Sequence, residues 1–178
     1  MVFINVIIKL NMIAFTLNNF LIYFIVAWGA NISLNFLYIM KRYIPEFKNL
    51  DYPLDFNLSY KGNRLLGDSI NIIGLFFCLF ISVGLYFLIS SSILATIPLI
   101  VYLGGALGSF IKRRFGKKSG EFMPLVDHGD YVVVLGLVFV LCGYVSVWFA
   151  LTAILITYIL HPVACLIAFK LKLRKNPY

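Results

Sequence analysis

Three long windows of this chain, residues 10–40, 69–111 and 131–169, contain no Asp, Glu, Lys or Arg. A spanning helix needs only about 20 mostly apolar residues, so the first window holds one span and each of the others holds a pair. Ser90, Ser91 and Ser92, with Pro98 shortly after, punctuate the middle window, and Ser146 to Thr152 is the weaker candidate turn in the last. The expected fold is all-α: a multi-pass helical membrane protein of about five transmembrane helices, near 12–39, 70–89, 93–111, 131–148 and 152–170. Composition agrees, since 62% of residues are hydrophobic and 12% charged, against about 25% charged in soluble domains.

The first apolar run is too long for a secretory signal and no small-residue cleavage site follows it, so it is expected to be a retained helix. Cys78, Cys142 and Cys165 fall in apolar windows without metal-ligand spacing and read as packing residues. No internal repeat or linker divides the chain, and 1–178 is expected to form one transmembrane domain.

Basic residues flanking spans stay on the cytoplasmic side. Fourteen of the fifteen Lys and Arg lie in 41–68, 112–130 and 170–178, and Lys9 stands apart. With five spans those segments share one face, which places the N-terminus outside, the C-terminus in the cytoplasm and two polar loops on the cytoplasmic side of a cell membrane. The net charge of +8 is then a topology signal, and nothing in the pattern indicates nucleic-acid binding.

Both loops also carry every acidic residue of the chain, which topology does not require. Mixed charge at a membrane surface suits a phosphate-rich ligand bound through metal ions, with carboxylates holding Mg²⁺ and Lys or Arg meeting the phosphates. Ser109, Lys112 and Arg113 share a helical face at i, i+3, i+4 and could converge on one ligand; alternatively the basic cluster, Arg114 included, snorkels to lipid headgroups. Asp127 and Asp130 share a face if a helix starts near 127, either as a metal-binding pair or as carboxylates favoured by a helix N-terminus.

These residues together resemble the CDP-archaeol synthase family, small relatives of the CDP-diacylglycerol synthases. Its second loop is similar to G-D-x-x-x-S-F-x-K-R-R followed by P-x-x-D-x-x-D. Gly104, Ser109, Phe110, Lys112, Arg113, Arg114, Pro124, Asp127 and Asp130 fit that pattern here. Its first loop, P-I-D then G-x-R-I-L-G-x-x-K-T-x-R-G, is matched by Pro53, Asp55, Gly62, Arg64, Leu66, Gly67, Asp68 and Gly74, and its A-N pair by Ala30 and Asn31. The resemblance implies transfer of a cytidylyl group from CTP to a lipid glycerol phosphate with Mg²⁺. Asp127 and Asp130 would hold the metal and act in catalysis with Lys112 and Arg113. Ser109, Lys112, Arg113 and Arg64 would contact the triphosphate, Asn31 would lie near the lipid phosphate, and Asp55, Asp68 and Arg114 would join the substrate site.

The departures fall where chemistry is expected. Gly105 stands where the family pattern has Asp, and Ile70, Asn71 and Ile73 where it has Lys, Thr and Arg. An active enzyme and a lapsed member that binds lipid or a partner both accommodate this. His128 reads as a solvated loop residue and His161, in "YILHPVAC", as a satisfied histidine in a kinked helix. Gly104 and Gly108 form G-x-x-x-G, which favours close helix packing.

Overall fold

The computed structural model describes residues 21–34, 40, 43, 44, 46, 52–60, 62–89, 91–119 and 121–171. The outer parts of the expected first span, 12–20 and 35–39, and much of 41–51 lie outside these residues. The described chain contains helices α1 (Leu21–Leu34), α2 (Ile72–Ile89), α3 (Ser92–Arg114), α4 (Pro124–Asp127), α5 (Asp130–Leu141) and α6 (Val147–Lys170). Three of them, α2, α3 and α6, are long and apolar enough to cross a membrane. The strictly all-α expectation needs one amendment: loop one carries a two-stranded antiparallel hairpin, β1 (Ser59–Tyr60) with β2 (Asn63–Arg64), in register Ser59 to Arg64. Gly62 supplies the positive φ (+78°) of its turn.

As expected, one helix ends before the serine cluster and the next starts in it, at Ser92 with Ser91 as its cap. Ser91 Oγ accepts from Leu94 N at 3.4 Å, which satisfies an orphan donor of the α3 N-terminus. The last turn falls earlier than Ser146–Thr152. Gly143 takes φ +73° directly after α5, and Ser146, instead of turning the chain, caps α6 by accepting from Phe149 N at 3.1 Å.

Helix α3 is the centre of the bundle. Half of its apolar window is buried, against 17% for α2 and 22% for α6, and those outer helices show Phe76, Phe80, Phe87 and Trp148 outwards, as a lipid-facing surface requires. One core joins Tyr23 and Ala27 of α1, Ile97 and Val101 of α3, Val132 and Leu135 of α5, and Ala153 of α6. A second, between α2 and α3, contains Ile70, Cys78, Tyr102 and Ala106. The G-x-x-x-G pair is a packing device: a Cβ on Gly104 would lie 2.5 Å from Tyr131 Cα, and one on Gly108 2.2 Å from Asp130 Oδ2. Only glycine lets α5 start so close to α3, and this contact positions Asp130.

Candidate active site at the ends of the helices

Loop one is organised by a buried carboxylate. Asp55, 6% exposed, accepts from Arg64 (2.7 and 3.3 Å), Leu66 N (2.9 Å) and Asn57 N (3.1 Å). Burial pushes its carboxyl up, but the Arg64 side chain, the two amides and the Arg64 charge together outweigh this and hold it below the ordinary value. Asp55 is therefore the keystone of the hairpin. Arg64 also pairs with Asp68, so the cation expected at the triphosphate is already engaged by two carboxylates while it lines the cleft described below. Arg114 likewise binds the hairpin: its guanidinium donates to Arg64 O at 3.1 Å and stacks over Tyr60 and Phe110, 5.3 and 5.0 Å from the ring centroids.

Helix α3 divides its polar residues between the two loops. Ser109 Oγ accepts from Gly67 N at 2.8 Å, and Arg113 packs on the same side, with Gly67 close to both side chains. Lys112 turns to the other side, donating to Asp127 Oδ1 at 2.6 Å and Glu121 O at 3.1 Å. The expected convergence of Ser109, Lys112 and Arg113 thus separates into two groups, because α3 is sandwiched between loop one and α5 and presents a different edge to each.

Asp127 and Asp130 also part from expectation. They do not share one helix: Asp127 closes α4, His128 and Gly129 turn the chain, and Asp130 opens α5. Asp127 is held by Lys112 and by Met123 N at 2.6 Å. Asp130, which precedes the last uncharged window, accepts from Tyr131 N at 2.7 Å and has no ion pair among the described residues. Burial pushes its carboxyl up to about 7; the Tyr131 amide and Lys112 lower it, while the charge of Asp127 raises it. A desolvated carboxylate with one backbone partner, near a second carboxylate, is a hard-oxygen donor set of the kind Mg²⁺ takes, and the two residues fit that ion.

Between the two loops lies a cleft of about 190 Å³ lined by Arg64, Gly67, Asp68, Arg113, Lys117, Lys118 and Ser119, among others. Arg113 is 6% exposed and donates to Lys117 O, yet its Nε has no acceptor among the described residues. A buried, partly unsatisfied guanidinium beside two lysines has the donors and charge to take an oxyanion. Lys117, Lys118 and Ser119 escaped the reading of the sequence. The signal was "RRFGKKSG": Gly116 takes φ +73° after α3, and the Gly116 and Lys117 amides cap Arg113 O and Lys112 O, folding the next residues back over loop one.

The departing positions serve structure here. Ile70 joins the second core, and Asn71 caps α2, its Oδ1 accepting from Gly74 N at 2.8 Å while its carbonyl receives Tyr102 Oη at 2.5 Å. Asn31 lines a separate cavity of about 70 Å³ with Trp28, Tyr131, His161 and Cys165. His128 is not a solvated loop residue, since its Nδ1 stands 3.1 Å from His161 Nδ1.

A bundle of apolar helices, with a cationic cleft between its two polar loops and carboxylates at its helix ends, defines a membrane protein. Residues 37–178 match the CarS-like family, CDP-archaeol synthase, and the chain belongs to the CDP-archaeol synthase family. It is 33% identical over 159 residues to the CDP-archaeol synthase of Methanosarcina barkeri, covering 71% of this chain and 90% of that one. Its identity to the Pyrobaculum aerophilum CDP-archaeol synthase is 27% over 144 residues, covering 71% and 82%. A solved structure of an intramembrane enzyme for archaeal membrane lipids biosynthesis superposes with a TM-score of 0.60 at 27% identity, covering 80% of this chain and 90% of that one.

Proposed function

We propose that this chain transfers the cytidylyl group of CTP to the phosphate of a lipid glycerol phosphate, producing a CDP-activated, archaeol-type lipid for phospholipid synthesis. The observation that carries the reading is the buried Arg113, with an unsatisfied Nε, in a lysine-lined cleft between the two loops, on the helix whose Lys112 holds Asp127. A lipid phosphate oxygen attacks the α-phosphorus of CTP, the bond from that phosphorus to the α,β-bridging oxygen breaks, and pyrophosphate leaves. Asp127 and Asp130 would hold Mg²⁺, which when bound would supply charge neutralisation at the phosphates. Arg113, Lys117 and Lys118 bind the triphosphate, Lys112 fixes Asp127, and Ser109 holds loop one against α3. Asn31 faces the lipid phosphate from the α1 side. In this reading α1 and α5 complete five spans, the N-terminus is outside, and both loops face the cytoplasm of a cell membrane.

Arg113→Gln removes charged hydrogen bonds worth about 1.5–3 kcal/mol, an expected loss of CTP affinity of about 10- to 150-fold. Titration calorimetry in detergent checks this, and unchanged affinity contradicts the assigned cleft.

Gly105 and the apolar Ile70 and Ile73 favour a second reading, a catalytically lapsed member that binds lipid or a partner. Geometry makes the two separable, because a Cβ on Gly105 meets nothing within 4 Å. Gly105→Asp is expected to fold with an unchanged melting temperature and to raise Mg²⁺-dependent turnover. Turnover that appears only in this variant supports the lapsed reading; turnover already present in the native chain supports the enzyme.

A further inference from the structure

His128, His161 and Cys165 do not line the cationic cleft, and the reaction above gives them no role. His161 and Cys165 stand one turn apart on α6, so their side chains share a face. The turn between α4 and α5 brings His128 onto that face. His161 Nδ1 is 3.1 Å from His128 Nδ1 and 3.6 Å from Cys165 Sγ, and one ligand atom from each residue falls within 4.8 Å of the others.

Those separations have a physical reading. Tetrahedral Zn²⁺, with Zn–N of about 2.0 Å and Zn–S of about 2.3 Å, sets its ligands about 3.3 Å (N to N) and about 3.6 Å (N to S) apart. The His161–His128 and His161–Cys165 separations are close to those distances. Two imidazoles and a thiol form a borderline-soft donor set, suited to Zn²⁺ and its neighbours and unsuited to Mg²⁺. The other ring nitrogen of His161, Nε2, lies 3.4 Å from the Asn31 side-chain amide. The atom placed there is Asn31 Nδ2. A flip of the side-chain amide exchanges it for the oxygen, which would accept the Nε2 proton and leave Nδ1 as the ligand atom, giving the outer partner that metal-bound histidines generally have. The cavity lined by Trp28, Asn31, Tyr131, His161 and Cys165 leaves room on one side for a fourth ligand.

We propose that His128 Nδ1, His161 Nδ1 and the Cys165 thiolate bind one divalent ion of the Zn²⁺ class, distinct from the Mg²⁺ of the reaction. Binding releases the thiol proton. The ion clips the His128–Gly129 turn to α6 and thereby fixes Asp127 and Asp130, which flank that turn.

The test uses the full chain in detergent, stripped with a chelator and titrated with Co²⁺ and Zn²⁺. The expected result is one ion per chain, a thiolate-to-Co²⁺ charge-transfer band, a rise in melting temperature with Zn²⁺, and no displacement by excess Mg²⁺. Asn31→Ala is expected to weaken binding about 10- to 100-fold, the usual effect of losing an outer partner, and Cys165→Ser or His128→Gln to weaken it further. Because His128 lies in a turn, His128→Gln remains informative if Cys165→Ser fails to fold. A substoichiometric ion, a Co²⁺ spectrum without the thiolate band, displacement by Mg²⁺, or native affinity in His128→Gln overturns the proposal.

Discussion

Asp130→Asn is expected to lower cytidylyl transfer by about 10²–10³-fold while leaving the melting temperature unchanged or raised. The carboxylate packs against Gly108, is pushed towards its neutral form by desolvation and has no ion pair among the described residues, so ionisation there costs stability and its neutral isostere removes that cost. Asn keeps an oxygen for the Tyr131 amide. Loss of activity with preserved stability therefore separates a metal-holding role from a structural one. Steady-state rates with labelled CTP, alongside thermal unfolding in the same detergent, make the comparison, and a variant that loses both together assigns Asp130 to the fold.

Asp55→Ala is expected to behave oppositely, destabilising the protein by about 3 kcal/mol and losing activity through loop one. The substitution strands Arg64, whose side chain is 29% exposed against 1% for Asp55, and orphans the Leu66 amide. Limited proteolysis of residues 52–68 and thermal unfolding check it. Adding Arg64→Leu removes the unpaired cation and is expected to restore part of the stability, a non-additivity that marks the two residues as one unit.

Much of the architecture was legible because absence of charge is a long-range, one-dimensional signal. The expected spans 70–89 and 93–111 differ from α2 and α3 by at most three residues at either end. The turn at Gly143 was not, since "VLCGYV" carries no charged or turn-forming polar residue and its one cue is a glycine whose positive φ appears only in three dimensions. Ser146 was visible, but a serine marks a cap and a turn equally well. At the site, spacing identified which residues matter and missed which way they face. Ser109 and Lys112 satisfy i, i+3, yet the neighbours on either side of α3 draw them apart. Asp55 reads as a substrate ligand in a pattern and as the hairpin's keystone in space. His128 and Cys165, 37 positions apart, share no sequence signal, because their proximity depends on the turn after α4 and the packing of α6.

The central claim is tested most directly by incubating the purified chain with α-labelled CTP, Mg²⁺ and a prenylated glycerol phosphate, then extracting the lipids. The account predicts label in a CDP-lipid, pyrophosphate released in equal amount, and loss of both in Asp130→Asn. No CDP-lipid, together with no Mg²⁺-dependent binding of CTP, contradicts it.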